Sequence, residues 1–272
     1  MRCYKTEKVI IILMNLYKRI INRNPNDPLL FVKAHYSDPN IIKSYRTIGL
    51  LPSEEIIVDK FFRPGSTILD IGCGAGRTAI ALANKGYEVT GIDFVPEMIE
   101  AAKYQAQCQN VPMNFMVMDV VDMRFPNESF QNALFSFNGF EQIPGKRNRK
   151  KVLKDMFQIL KPGGCIILTA RSGLAFGRRW LGWVGISLVY LLQKAIHGKR
   201  NKYEFGDKVW NGEYHHYLNP FYLKALVSNI GFKLLYFNSH GNIVQVKKPS
   251  FLTNFSNDKM LFYVLEKSAI PK

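Results

Sequence analysis

The stretch Ile68-Leu69-Asp70-Ile71-Gly72-Cys73-Gly74-Ala75-Gly76-Arg77 decides the fold of this chain. An apolar run typical of a buried strand leads into a glycine-rich turn, and residues 78–83 have the composition of a helix start. Strand, glycine turn and helix in this order are typical of a nucleotide-type cofactor site in an open α/β sheet. Glycines in the turn permit positive φ angles and let a ligand lie against the main chain.

The glycine spacing separates this turn from a dinucleotide-binding turn. The spacing is G-x-G-x-G, and Asp70 stands two residues before the first glycine. A dinucleotide site requires G-x-G-x-x-G or a final alanine, but position 77 is an arginine. A carboxylate at position 70 would also repel a pyrophosphate. The pattern therefore favours a cationic or hydroxyl-bearing ligand.

Strands and helices alternate regularly after this turn. The hydrophobic pattern predicts strands at 67–71, 87–93, 114–118, 132–137, 165–169, 232–237 and 261–266. It predicts helices at 77–84, 96–107, 148–160 and 218–230, with a turn at 161–164. Strands joined by helices of this length indicate a parallel sheet with right-handed crossovers.

Four successive predicted strands end in a polar residue. These residues are Asp70, Asp93, Asp119 and Asn138. Because the carboxyl ends of parallel strands face one crevice, the four side chains should converge on one ligand. Asp93 ends the strand after the glycine turn, where a carboxylate that binds ribose hydroxyls is expected.

With these strand ends, the chain resembles the class I S-adenosylmethionine (SAM) methyltransferases, whose first motif is a hydrophobic strand, an acid and G-x-G-x-G. The resemblance covers residues 67–169, including the turn Leu160-Lys161-Pro162-Gly163-Gly164, and the junction Gly231-Phe232. It implies an α/β fold with a Rossmann-like, seven-stranded, mainly parallel sheet and helices on both faces. It also implies SAM as cofactor, with S-adenosylhomocysteine as product.

The resemblance further implies roles for single residues. Asp93 would accept hydrogen bonds from the ribose diol, and Asp119 would hold the adenine amino group, although Asp119 could instead cap the following turn. The other implied cofactor contacts are Phe94, Met98, Met118 and Val120 near the adenine, Asp70, Gly72, Cys73 and Gly74 at the turn, and Ser136, Phe137 and Asn138 near the methionine part. Ser136 could instead hydrogen-bond the backbone, as buried serines at strand ends do.

Methyl transfer requires little catalytic chemistry from the side chains of the protein. Alignment of the reactants can supply about 7 to 11 kcal/mol of the barrier, and a base that takes the acceptor proton adds a factor of about 10² to 10⁴. The candidate bases are His215, His216 and Glu141. Neighbouring residues of an extended segment point in opposite directions, so we expect at most one histidine to face the site, with a slight preference for His216. Either histidine could instead be a structural one that is bonded to the backbone. The sequence shows no ligand spacing for a metal, so none is expected.

The chain's length and composition predict one large core, which the resemblance implies is a methyltransferase domain at 63–272, with an N-terminal helical segment at 1–62 that packs on it. The chain has 272 residues, of which 47% are hydrophobic and 21% charged. The regular alternation stops at 172–210, which we interpret as a lid over the acceptor site. Its apolar run at 180–192 is too short to span a bilayer, but it could form an interfacial membrane helix. Scattered cysteines favour reduced thiols and a cytoplasmic location.

The formal net charge of +16 is unevenly distributed. Acids outnumber bases between 66 and 138, whereas bases strongly outnumber acids between 144 and 208. This asymmetry indicates an anionic partner near the acceptor side or a solvated lysine-rich surface. The function that the resemblance implies, and that we favour, is methylation of an oxygen or nitrogen atom in a small molecule that is anionic or apolar.

Three other functions stay open. The basic half is compatible with a tRNA methyltransferase, although nucleic acid is not the favoured partner. The apolar run in the lid is compatible with a lipid-soluble quinone or sterol acceptor. A SAM-binding regulatory subunit without turnover would need the same strand-end acids. Asn138 and the residues after it lack the proline-proline-aromatic signature of DNA adenine methylation. The sequence does not fix the oligomeric state.

Overall fold

The computed structural model describes residues 28–47, 49–171, 191, 194, 203–210, 213–247 and 260–268. Residues 1–27 and most of the predicted lid, including nearly all of its apolar run, lie outside these residues. What we expect of them stays a prediction.

Nine strands occur in the described residues: β1 Thr67–Ile71, β2 Glu88–Asp93, β3 Asn114–Val117, β4 Phe130–Phe135, β5 Leu160–Ala170, β6 Asp207–Trp210, β7 Glu213–His216, β8 Phe232–Ser239 and β9 Leu261–Lys267. Seven of them form one sheet in the order β3-β2-β1-β4-β5-β9-β8. Strands β1 to β5 are parallel to one another, and β9 is antiparallel to both β5 and β8. Strands β6 and β7 form a separate antiparallel hairpin. The predicted seven-stranded, mainly parallel sheet is therefore confirmed.

Eight α-helices surround the sheet in the described part of the chain: α1 Pro28–Tyr36, α2 Pro39–Ser44, α3 Pro52–Phe61, α4 Arg77–Asn84, α5 Pro96–Cys108, α6 Lys146–Ile159, α7 Pro220–Ile230 and α8 His240–Val244. Proline begins several of them because its fixed φ suits the first helical turn and its missing N–H is not needed there. The side chain of Asn219 caps α7 as predicted, accepting from Phe221 N at 2.9 Å and Tyr222 N at 3.3 Å.

Successive side chains of each strand point to opposite faces of the sheet, so the hydrophobic core has two layers. In β1, Leu69 and Ile71 belong to the layer that holds α6 and α7, whereas Ile68 belongs to the layer that holds α3, α4 and α5. Both faces of the sheet are therefore covered, as a parallel sheet requires. The carboxyl ends of β1 to β4 remain as the edge where a ligand can enter.

The structure departs from the predicted elements mainly after β4. The predicted strand at 132–137 ends at Phe135, because Phe137 and Asn138 have φ angles of +52° and +63° and cannot continue an extended strand. The predicted turn at 161–164 lies inside β5, next to a register shift in its pairing with β4. The β6–β7 hairpin and α8 are elements that the sequence pattern did not predict.

Candidate functional site

A cleft with about 890 Å³ of empty space, partly open to solvent, lies at the carboxyl ends of β1 to β4. Ten of the thirteen residues predicted to contact a cofactor line it: Gly72, Gly74, Asp93, Phe94, Met98, Met118, Asp119, Val120, Ser136 and Phe137. Helix α1 and the residue after α2 complete the wall with Leu29, Val32, Tyr36 and Tyr45. The cleft is therefore where the topology brings the strand ends together.

The polar groups follow one another across the sheet. Asp119 follows β3, Asp93 ends β2, the glycine turn follows β1 and Ser136 follows β4, which is also the order of these strands. An elongated ligand that lies across the strand ends would therefore contact the carboxylates of Asp119 and Asp93, then the backbone of the glycine turn, and then the hydroxyl of Ser136.

Asp93 is held in place by backbone N–H groups. Its Oδ2 accepts from Gly74 N at 3.0 Å, and its Oδ1 accepts from Val95 N at 2.9 Å. Burial raises the pKa of Asp93 to about 6, against the lowering effect of the backbone hydrogen bonds. Each oxygen keeps lone pairs beyond its one bond, so the carboxylate can accept further hydrogen bonds from hydroxyls in the cleft.

Gly74 leaves space for a ligand beside Asp93. It has a φ of +54°, and a Cβ on this residue would lie 3.7 Å from Tyr45 Cδ1 and 3.9 Å from Met98 Sδ, which both line the cleft. A side chain there would occupy the space between the aromatic wall and the methionine. The glycine is needed both for the backbone conformation and for the close approach of a ligand.

Three of the predicted cofactor contacts do not line the cleft. Asp70 is buried and accepts a hydrogen bond from the Thr78 hydroxyl, and burial raises its pKa to about 7. Cys73 is buried, and burial raises the pKa of its thiol. Asn138 is buried behind the cleft, where its backbone N–H donates to Thr169 Oγ1 at 2.8 Å. Asp70 thus ties the end of β1 to α4.

Glu54 is a residue that the sequence analysis missed. It is fully buried and accepts from Arg77 Nη1 and Nη2, each at 2.8 Å, and from the hydroxyl of Ser136. Its Oε2 also accepts from Leu51 N at 2.7 Å, which caps α3. Proline at the first helical position with glutamate two residues later is a helix-start pattern that could have drawn attention to it. Glu54 therefore joins α3 to the glycine turn and to the end of β4.

An aromatic wall stands over the cleft near its glycine turn. The ring centroids of Tyr36 and Tyr45 lie 5.9 Å apart, and those of Tyr45 and Phe137 lie 6.2 Å apart, both in edge-to-face arrangements. The Arg77 guanidinium lies 5.3 Å from the centroid of Phe137. Stacking of this kind holds Phe137 in place although half of its surface is exposed and its φ is positive.

The two candidate histidines lie on β7 and differ in their surroundings. Gln142, which lines the cleft, has its Nε2 3.0 Å from His215 Nδ1. His216 Nδ1 lies 2.6 Å from Asp207 Oδ1, and the Tyr214 hydroxyl donates to the same oxygen at 2.8 Å. Of the two, His215 is therefore the one joined to the cleft wall, and the slight preference for His216 has no support in this geometry.

Glu141 lies behind the cleft wall rather than on it. It is fully buried, its Oε1 accepts from the backbone N–H of Arg171, and its Oε2 lies 3.7 Å from His215 Nδ1. Burial raises the pKa of Glu141 to about 8, against the lowering effect of Arg171. Gln142 and Arg171 were not predicted as site residues, because the turn after β4 places the first here and the end of β5 places the second.

A methyltransferase-domain family model matches residues 68–164. The ubiquinone biosynthesis O-methyltransferase of Xanthomonas campestris pv. campestris is 30% identical over 137 residues, covering 49% of this chain and 55% of the relative. The SAM-dependent Diels–Alderase iccD of Talaromyces variabilis is 34% identical over 104 residues, covering 37% of this chain and 34% of the relative. A solved SAM-dependent methyltransferase of Methanosarcina mazei superposes with a TM-score of 0.59 at 25% identity, covering 82% of this chain and all of that one.

Residues 68–164 match the methyltransferase-domain family, and the fold is that of the class I SAM-dependent methyltransferase superfamily. It spans about half the length of the curated relatives that it matches. The cofactor of this superfamily is SAM, and the cleft suits it: a carboxylate with free lone pairs at Asp93, space at Gly74 and a wall of apolar side chains.

The described residues contain no group of three or more His, Cys, Asp or Glu side chains arranged to hold a metal ion. None of the described helices is long and apolar enough to cross a membrane.

Proposed function

We propose that this protein is a SAM-dependent methyltransferase that methylates an oxygen or nitrogen atom of a small molecule. The observation that carries the proposal is the cleft in which Asp119, Asp93, the glycine turn and Ser136 follow one another in the order of the strands. This order matches the parts of SAM from adenine to methionine. The acceptor would then enter at the β4 and β5 end of the cleft.

In this proposal each residue has a binding or positioning role. The ribose hydroxyls donate to Asp93, and Asp119 faces the adenine amino group between Phe94 and Val120. Asp119 also accepts from Val121 N at 2.9 Å, so the capping role and the ligand role are compatible on a carboxylate with two oxygens. Asp70 orients α4 next to the glycine turn and does not contact the ligand.

SAM supplies a methyl group on a sulfonium, which leaves as a neutral thioether. The cleft walls exclude water and align the acceptor, which is the largest contribution that a protein can make to this displacement. As the acceptor oxygen or nitrogen gains the methyl group, it loses a proton. Of the predicted bases, Glu141 and His215 lie nearest to the cleft, with facing atoms 3.7 Å apart, and His215 contacts the cleft wall through Gln142.

A lipid-soluble quinone precursor is a second candidate acceptor. The wall is largely apolar, with Leu29, Val32, Ile143 and Pro144 near the acceptor end. The name of the Xanthomonas relative also points to quinone biosynthesis. Both observations fit an aromatic ring with an apolar tail.

The test is incubation of the purified protein with methyl-labelled SAM and cell fractions separated into small-molecule, lipid and RNA pools. We expect label in the small-molecule pool, and label in the lipid pool would favour the quinone candidate. Label confined to RNA would replace the proposal with a tRNA methyltransferase. SAM binding without label in any pool would contradict enzymatic methyl transfer and favour a regulatory subunit.

A further inference from the structure

Several buried polar atoms without a hydrogen-bond partner belong to residues in or behind the part of the cleft wall that follows β4. In the described part of the chain, the buried side-chain nitrogen and oxygen atoms without a hydrogen-bond partner are Asn138 Oδ1, Glu141 Oε2, Gln142 Oε1 and Arg171 Nε. The first three follow β4 and the last follows β5, and Arg171 Nε lies 4.0 Å from Glu141 Oε2. Because buried polar atoms are almost always paired, a cluster of unpaired ones indicates a place for polar ligand atoms.

Gln142 is the member of this cluster that lines the cleft. Its Nε2 donates to His215 Nδ1 at 3.0 Å, so the amide plane is fixed and its Oε1 is left as an acceptor without a partner. Ser136, the other polar side chain at this end, already donates its hydroxyl to Glu54. A substrate molecule that reaches the β4 end of the cleft could therefore donate a hydrogen bond to Gln142 Oε1.

The surroundings of Gln142 favour a neutral ligand. Phe135, Ile143 and Pro144 line the cleft beside it, and no described lysine or arginine lines the cleft. An anionic group would therefore lose its hydration without a cationic partner among the described lining residues. A hydroxyl on an apolar skeleton can instead bury its body against these side chains and donate its proton to an amide oxygen.

We propose that Gln142 recognises the methyl acceptor, accepting at Oε1 a hydrogen bond from the hydroxyl of a neutral, largely apolar molecule. His215 is a positioning residue that holds the amide in this orientation. The proposal rests on the proposed function. It narrows the class of methyl-acceptor molecule, which the sequence left as anionic or apolar, to uncharged molecules that carry a hydroxyl group.

The test uses 2-naphthol and 2-naphthoate, which share a ring system and differ in the polar group. Calorimetry on the protein loaded with S-adenosylhomocysteine should give at least tenfold tighter binding of 2-naphthol than of 2-naphthoate. Gln142→Met should weaken 2-naphthol binding at least tenfold and leave the affinity for S-adenosylhomocysteine unchanged, which also shows that the variant is folded. The exposed Gln109 provides the matched control, since Gln109→Met should bind both compounds like the native protein.

The role of His215 has its own readout. Asparagine can place a side-chain oxygen close to the position of Nδ1, so His215→Asn should keep the preference for 2-naphthol that His215→Ala loses. The proposal is overturned if 2-naphthol binds no more tightly than 2-naphthoate, or if Gln142→Met binds it like the native protein. Failure of the native protein to bind S-adenosylhomocysteine would instead contradict the proposed function itself.

Discussion

Arg77 and Glu54, which lie 23 positions apart in the chain, face each other with two hydrogen bonds of 2.8 Å. The glutamate is fully buried, and the arginine side chain is 18% exposed. The pair joins α3 to the residue that follows the glycine turn, and the Ser136 hydroxyl donates to the same carboxylate. One buried side chain thus holds together three segments that border the cleft.

Removal of this carboxylate should destabilise the fold. Glu54→Ala leaves Arg77, Leu51 N and Ser136 without their partner, and we expect a loss of about 2 to 4 kcal/mol in the free energy of unfolding, because breaking a buried pair leaves a charge uncompensated. The neighbouring Glu55, which is 55% exposed and bonded to Lys85, is the control. Glu55→Ala should cost less than about 1 kcal/mol in the same urea titration. Equal effects of the two variants would contradict the role given to Glu54.

Asp70 should make stability depend on pH. Burial raises its pKa from 3.8 to about 7, so folding is opposed by the cost of burying this charge, and the cost grows as pH rises from about 4 to 7. Asp70→Asn keeps an oxygen that can accept from Thr78 and removes the charge. We expect the variant to gain stability, with a gain at pH 8 that exceeds the gain at pH 5 by about 2 kcal/mol.

Urea titrations of both proteins at the two pH values measure this difference. The exposed Asp59, which pairs with Lys85, supplies the control variant Asp59→Asn. A gain for Asp70→Asn that does not change with pH would show that the carboxyl is not titrating inside the fold.

Gly74 should be needed for cofactor binding in a way that other left-handed glycines are not. Gly74→Ala adds a methyl group to the cleft between Tyr45 and Met98, and we expect at least tenfold weaker binding of S-adenosylhomocysteine. Gly86, at the end of α4, has a φ of +85° and no atom within 4 Å of a built Cβ. Gly86→Ala should lose about 1 kcal/mol of stability from its left-handed backbone without any change in affinity. Equal affinities of the two variants would remove Gly74 from the site.

Asp93 should make cofactor binding weaker in acid. Burial raises its pKa to about 6, and only the ionised carboxylate can accept hydrogen bonds from two ribose hydroxyls with both oxygens. The affinity for S-adenosylhomocysteine should therefore be constant above about pH 7 and fall as the pH is lowered through 6. The fall should approach tenfold per pH unit, and calorimetry at constant ionic strength measures it. An affinity that is unchanged at pH 5 would show that the ligand does not bind to this carboxylate.

Ten of the thirteen residues that the sequence predicted to contact a cofactor line the cleft. Asp93 ends β2 and Asp119 comes shortly after β3, so strand periodicity alone places them at one edge of a parallel sheet. Asp70 was placed in the same row, but alternation in β1 turns its side chain away from the cleft and toward α4, where Thr78 binds it. Position along the chain therefore identified the edge, and the pleat of the strand decided which side chains line the cleft.

The acceptor half could not be predicted in the same way. Gln142 reaches the cleft because Phe137 and Asn138 take left-handed conformations that end β4 early, and non-glycine residues rarely adopt them. His215 reaches Gln142 through the pairing of β6 with β7, which no periodicity indicated. Both depend on contacts between distant segments rather than on local pattern.

Binding of S-adenosylhomocysteine to the native protein and to Asp93→Ala tests the central claim most directly. We expect micromolar binding to the native protein and a loss of about 1 to 3 kcal/mol in the variant, because the ribose hydroxyls are left without a partner. The exposed acid Asp59 gives the matched control, and Asp59→Ala should bind like the native protein. Native affinity in the Asp93 variant, or no binding to the native protein, would contradict the assignment of this cleft as a SAM site.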